Sequence, residues 1–227
     1  MNLARQFPLP FDEKPRYAQE DFCAAPCNAL ARSWLDKPDA WTNGRMVLWG
    51  EPGCGKSFLL HLWARSAGAV IVQGRHVRGV AAPPEAAIAV DDADQVPEET
   101  ALLHLLNAAG EAGKPVLLTA QAPPARQQQK LPDLASRLRA SLTVEISPPD
   151  DAMLSALLFR LAASRQLILN AQVSQFLLTQ LPRTPAALRE AVARLDRAAL
   201  ASGGKITRGL AGQVLGEWAD RADLIGG

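Results

Sequence analysis

The sequence has few cysteines and histidines, almost no net charge and no long apolar run. Three cysteines, Cys23, Cys27 and Cys54, are an odd number for a chain of 227 residues, which fits a reducing cytoplasm and argues against a disulfide framework. Cys23 and Cys27 stand at helical spacing with no second pair of Cys or His nearby, so no metal site is expected there. His61, His76 and His104 are scattered and read as surface or packing residues. A formal net charge of +1 gives no whole-molecule case for nucleic-acid binding. The local group Arg75, His76 and Arg78 reads as a solvated loop. No window approaches the roughly 18 apolar residues that span a bilayer. Residues 1–5 lead into Pro8 and Pro10 rather than into an apolar signal segment. The expectation is a cytoplasmic protein with no membrane contact.

What is present is ordinary for a globular chain: 48% apolar and 21% charged residues, enough for one α/β domain and a smaller unit. Residues 1–20, rich in proline and charge, read as a tail. Apolar spacing predicts a helix over 21–35, closed by the turn Asp36-Lys37-Pro38-Asp39. Met46-Val47-Leu48-Trp49 reads as a buried strand, followed by a glycine loop and a helix over 57–67 with Leu59, Leu62 and Trp63 on one face. Further strands are expected at 69–72, 87–90, 115–119 and 142–146, with a leucine-bearing helix over 100–109. Five apolar strands separated by helices imply a parallel sheet covered on both faces. Beyond Ile146 the pattern is helical only. Ser147-Pro148 reads as an N-cap and first-turn proline, with Asp150 favouring the dipole. Thr184-Pro185 repeats that device before Leu188, Val192 and Leu195, and a last helix is expected over 206–218 with Val214 and Trp218 on one side. The expected division is a tail (1–20), an α/β unit (21–147) and a helical unit (148–227).

Gly50-Glu51-Pro52-Gly53-Cys54-Gly55-Lys56-Ser57 satisfies the phosphate-loop pattern G-x-x-x-x-G-K-[ST], with the required strand before and helix after. The glycines let backbone N–H groups turn toward phosphate oxygens, and the following helix adds its positive end. Lys56 would neutralise β/γ-phosphates, and the Ser57 hydroxyl would ligate Mg²⁺. Ile88-Ala89-Val90-Asp91-Asp92 is an apolar strand ending in two carboxylates. Asp91 would support Mg²⁺ through water, and Asp92 could orient or deprotonate an attacking water. An Asp reaches less far than a Glu, so slow intrinsic ATP hydrolysis is expected, and whether the chain turns over its own nucleotide is left open. Gln121, after the strand at 115–119, is a candidate to touch the γ-phosphate or attacking water. Arg137 is a surface arginine on spacing alone, although a rigidly placed arginine there could act as a finger on a neighbouring subunit's nucleotide.

At these residues the chain resembles the AAA+ ATPases, specifically the Hda-like regulators in the group of the replication initiator DnaA. The stretch Leu131-Pro132-Asp133-Leu134-Ala135-Ser136-Arg137-Leu138 carries the resemblance, as does Leu195-Asp196-Arg197-Ala198, and the likeness extends over roughly residues 4–219. Gln6-Phe7-Pro8-Leu9-Pro10-Phe11 resembles the peptide with which such proteins dock on the replicative sliding clamp, the β subunit of the polymerase. Gln6 would offer hydrogen bonds while Phe7, Leu9, Pro10 and Phe11 supply apolar contact, and the prolines lower the ordering cost. The resemblance implies an AAA+ domain with a helical lid, bound ATP or ADP with Mg²⁺, and DNA met indirectly through the clamp. It also implies that Arg137 promotes ATP hydrolysis on DnaA, switching off initiation.

The chain departs from the family pattern in the lid, where Ala186 stands at the usual sensing arginine and Arg183 and Arg189 lie three positions to either side. Weak discrimination of ATP from ADP through the lid is therefore expected. No helix-turn-helix domain follows the lid, which speaks against an initiator. A DnaC-like helicase loader or remodeller of DNA complexes remains an alternative, weakened by the lack of a basic, aromatic-rich face. A nucleotide-locked interaction module is a third reading, and self-association is left open.

Overall fold

The computed structural model describes residues 17, 22–79, 85–202 and 205–225. Five strands, β1 (Arg45–Trp49), β2 (Val70–Gln73), β3 (Ile88–Asp91), β4 (Val116–Ala120) and β5 (Leu142–Glu145), form one parallel sheet in the order β2-β3-β4-β1-β5. Alternation along the strands divides the apolar residues between two layers. Met46, Leu48, Ala89 and Leu117 face α1 (Pro26–Leu35) and α2 (Lys56–Ala67), where they pack with Leu59, Leu60 and Trp63. Val47, Val90, Val116 and Leu118 face α3 (Glu99–Glu111) and α4 (Pro132–Arg139), packing with Leu102, Leu106, Leu134 and Leu138. Each such side chain contributes roughly 1.5–3 kcal/mol on burial. The expected two-sided cover does not extend to the edge, because β2 has a neighbour on one side only and leaves Val70 and Ile71 exposed.

Several boundaries differ from the sequence expectation for identifiable reasons. The first helix begins at Pro26, because the Asn28 side chain accepts from the Ala25 N–H (3.2 Å) and donates to the Cys23 carbonyl (2.9 Å), holding the preceding segment extended. On α2 the buried face carries Phe58, Leu59, Leu60 and Trp63, while Leu62 is only half-buried. Ser147-Pro148 does not start a helix. The chain stays tied to its neighbours there, with the Ile146 N–H on the Trp49 carbonyl and the Ser147 N–H on the Cys27 carbonyl. The cap is Asp150, whose Oδ1 accepts from the Met153 N–H at 2.7 Å, so α5 runs Asp151–Ser164.

Three more helices follow, α6 (Ala171–Gln180), α7 (Pro185–Ser202) and α8 (Arg208–Ile225). Thr184 caps α7 as its sequence suggests, accepting from the Ala187 N–H, and Thr207 likewise caps α8. The final helix thus starts after Ile206, which is buried ahead of it. Leu157, Leu158, Leu161, Val173, Leu177, Leu188, Val192, Leu195 and Val214 build a separate core for these helices, and Cys23, Ala25 and Cys27 pack against it. Among the described residues no helix is long and apolar enough to cross a membrane.

Candidate functional site

The glycine loop joins the carboxyl end of β1 to the amino end of α2. At Gly50 a Cβ would lie 2.6 Å from the Ile146 carbonyl oxygen and 3.0 Å from Cys54 Sγ, so no side chain fits. Gly53 and Gly55 take positive φ of 77° and 111°, and Gly55 caps α2, opening the helix N-terminus onto the loop. Lys56, the first residue of α2, is buried, and its Nζ donates to the carbonyls of Gly50 (2.8 Å) and Glu51 (3.0 Å). Glu51 and Pro52 lie on the exposed side of the loop, whereas Cys54 is buried. Burial pushes the Cys54 thiol pKa up, against the opposing charge of Lys56.

The loop meets the ends of β3 and β4. Asp91 is buried, and its Oδ1 accepts from Ser57 Oγ at 3.0 Å and from Thr119 Oγ1 at 2.7 Å. Thr119 is fully buried, and its Oγ1 also accepts the Asp92 N–H at 2.8 Å. One hydroxyl therefore fixes both carboxylate-bearing residues. Asp92 adopts a left-handed conformation (φ 55°), and the backbone of Gly74, after β2, lies hard against it. A Cβ on Gly74 would fall 2.0 Å from the Asp92 carbonyl oxygen. Burial first, then Asp91 and Asp94, raise the Asp92 pKa, with Lys56 and Arg75 opposing. Gln121 stands exposed beyond the end of β4, its backbone N–H donating to Asp94 Oδ2 at 2.9 Å.

The Ser57 hydroxyl and Asp91 carboxylate meet directly, which matches the sparse protein ligand set of Mg²⁺, an ion that draws its remaining ligands from water and phosphates. Among the described residues no group of three or more His, Cys, Asp or Glu could hold a metal ion by itself.

Helices of the lid close one side of this site. The Thr184 side chain sits over Gly53, where a Cβ would approach it to 3.0 Å. From α7 the Arg189 guanidinium lies over the Phe58 ring, 4.6 Å from its centroid. Ala186 is exposed, and Arg183 forms an exposed ion pair with Asp151. Of the two arginines flanking Ala186, Arg189 is thus the one beside the loop. Tyr17 stacks on His61 of α2 at 3.8 Å and meets Phe58 edge-on at 5.5 Å. Its hydroxyl pKa is raised by burial and by Asp91, with Arg189 opposing.

Arg137 occupies the opposite end of the sheet. It is exposed in the last turn of α4, where Asn43 Nδ2 donates to the Ala140 carbonyl at 3.1 Å and β5 begins beside Met46. Burial, then the charge of Arg137, lower the pKa of Arg45, the first residue of β1. The glycine loop leaves from the other end of that strand. The peptide Gln6, Phe7, Leu9, Pro10 and Phe11 lies outside the described residues.

The family model for the Hda lid domain matches residues 150–215. Domain III of the Thermotoga maritima replication initiation protein DnaA superposes with a TM-score of 0.72 at 17% identity, covering 90% of this chain and 97% of that one. Residues 150–215 thus match the Hda lid domain, and the chain has the fold of DnaA domain III. AMPPCP-bound DnaA from Aquifex aeolicus shares the fold at a TM-score of 0.65 and 17% identity, over 79% of this chain and 65% of that one. The Thermotoga maritima RuvB Holliday junction branch migration motor follows at 0.59 and 16%, over 75% and 60%. This chain spans less than two thirds of either of those two.

Two residues of the site escape a reading of motifs. Thr119 looks like one more β-branched strand residue, and only its register beside the carboxylate strand could mark it. Gly74 has no partner motif, although a glycine directly after a strand is a sign of close backbone approach.

Proposed function

We propose that the protein is an Hda-like regulator that binds ATP or ADP with Mg²⁺ at residues 50–57 and promotes ATP hydrolysis on DnaA. The exposed position of Arg137, at the far end of β1 from the chain's own glycine loop, carries this reading. An arginine there is out of reach of its own nucleotide and available to a neighbour's. A guanidinium inserted beside a γ-phosphate offsets charge developing in the transition state. Gln6, Phe7, Leu9, Pro10 and Phe11 dock the protein on the sliding clamp, which brings it to DNA indirectly. On the chain's own nucleotide, Lys56 neutralises the phosphates, Ser57 and Asp91 hold the Mg²⁺, and Asp92 and Gln121 face the attacking water. A bound Mg²⁺ supplies charge neutralisation on the phosphates. The raised pKa of Asp92 suits a group that takes a proton, while its short reach keeps turnover slow.

The test combines the protein, clamp-loaded DNA and DnaA carrying radiolabelled ATP, and follows the DnaA-bound nucleotide. Wild type should accelerate hydrolysis, and Arg137→Ala should not, though it still binds clamp and nucleotide. Equal stimulation by both proteins overturns the assignment of Arg137. Replacing Gln6, Leu9 and Phe11 together by alanine should abolish clamp binding and leave nucleotide binding intact. Clamp retention by that variant removes the docking peptide.

A further inference from the structure

Behind the glycine loop lies a small cavity lined by Phe22 and Cys23 from the segment before α1, Cys54 and Gly55 from the loop, Phe58 from α2, and Met153, Pro185 and Arg189 from the lid. Cys54 and Gly55 of the glycine loop thus share this cavity with the lid. The cavity holds only about 10 Å³. That is about one water, far below the roughly 300 Å³ at which small-molecule sites begin.

Two lid arginines contact the phenylalanines of its wall. Arg160 on α5 crosses to the segment before α1, its Nη1 donating to the Phe22 carbonyl at 2.7 Å. The Phe22 ring packs on Phe58 at 5.5 Å, and Arg189 on α7 covers Phe58 at 4.6 Å. Phe22 and Phe58 are thus linked to two different helices of the lid, which shares one core.

We propose that Arg160 and Arg189 latch the lid over the base end of the site, so that a nucleotide enters and leaves only when the Arg160–Phe22 bond and the Arg189–Phe58 stack break together. The inference rests on the reading of residues 50–57 as a nucleotide site. Both arginines act as positioning residues. In the closed molecule they exclude the base, and after binding the same bond and stack re-form around it. Removing a latch contact therefore speeds entry and exit alike, whereas removing a phosphate ligand such as Lys56 weakens affinity. Arg183, whose ion pair with Asp151 is exposed, belongs to the same lid but stands outside the latch.

Stopped-flow fluorescence with a methylanthraniloyl-labelled ADP, applied to the full chain, measures both rates. Arg160→Ala should raise association and dissociation rates by about five- to tenfold, the net effect of losing one solvent-exposed hydrogen bond, with the dissociation constant changed less than about threefold. Arg160→Lys, which keeps a donor, should recover most of the difference. Arg189→Ala should also accelerate both rates, and Arg183→Ala should leave them at the wild-type values. Unchanged rates in Arg160→Ala overturn the latch, as does an equal acceleration in Arg183→Ala, which would mean general loosening of the lid. Labelled ADP that binds the wild type with unaltered kinetics in every variant defeats the latch alone. Failure of the wild type to bind labelled ADP defeats the nucleotide assignment and the latch with it.

Discussion

Replacing Thr119 by valine is the sharpest test of how the two carboxylates are held. Valine keeps the shape of the side chain and its β-branching but removes a hydroxyl that makes two bonds at once. One is a donation to the buried Asp91 carboxylate at 2.7 Å, and the other accepts the Asp92 N–H at 2.8 Å. A hydrogen bond to a charged group contributes about 1.5–3 kcal/mol, and a buried N–H left without a partner costs about 1–3 kcal/mol. These terms share one atom and do not simply add, so a loss of about 3 kcal/mol is expected. Thr119→Ser keeps the hydroxyl and loses one buried methyl, a cost near 1 kcal/mol. Valine should therefore be worse than serine by about 2 kcal/mol, the reverse of what packing alone dictates. The α/β unit and the lid have separate cores, so a single global transition is not assured. Amide hydrogen exchange in β3 and β4 is the better readout, supported by guanidinium unfolding. A valine variant within about 1 kcal/mol of wild type, or a serine variant less stable than valine, would refute the role assigned to this hydroxyl.

Three further outcomes follow from the same geometry. Gly74→Ala drives a methyl to within 2.0 Å of the Asp92 carbonyl oxygen, so the variant should lose about 1–3 kcal/mol or more in denaturant unfolding, with altered Asp92 backbone chemical shifts. The Asp92 pKa is raised on folding, so the folded state holds its proton more tightly than the unfolded state does. The stabilising contribution is full below the ordinary aspartate pKa of 3.8 and is lost as pH rises through the folded pKa. Asp92→Asn should flatten that fall and be at least as stable as wild type at neutral pH, and lower stability there would contradict the burial argument. Asp150→Ala removes the acceptor for the Met153 N–H and should destabilise the lid by about 1 kcal/mol, seen as faster exchange in the first turn of α5 but not in α3.

The sequence is legible where one local rule decides the outcome. The strands read as short, largely apolar runs, and the loop at 50–57 stands between the strand and the helix that its pattern requires. Thr184 caps α7 directly, its hydroxyl accepting from the Ala187 N–H. Ser147 has the same cap-then-proline signature, yet its backbone N–H is taken by Cys27, far away in sequence, and the helix waits for Asp150. The same reason hides Thr119, whose function is a contact across the sheet to Asp91 and Asp92, some 28 positions away. In the lid, spacing names Arg183 and Arg189 as equal candidates. The contact with Phe58 separates them, because Arg183 precedes α7 and pairs with Asp151, whereas Arg189 lies within the helix on the side that meets Phe58.

The sheet also constrains where the protein's arginine can act. The end of α4 lies by the first residues of β1, and the glycine loop leaves from the last. Five residues of strand at about 3.3 Å each separate the two ends by roughly 15 Å. An arginine side chain fully extended spans about half of that, and Arg137 would have to pass through the packed layer of Val47, Leu118, Leu134 and Leu138 to reach its own phosphates. Its charge is thus committed to whatever meets the amino edge of the sheet. On the proposed reading, a partner presenting a nucleotide there would receive a guanidinium from a helix that Leu134 and Leu138 anchor in the core. On the proposed reading, a nucleotide at residues 50–57 would sit at the other edge, beside the lid, where it could fix the orientation of α5 and α7 without sharing chemistry with Arg137. Nucleotide binding and the arginine are therefore separable by mutation, and a defect in one need not appear in the other.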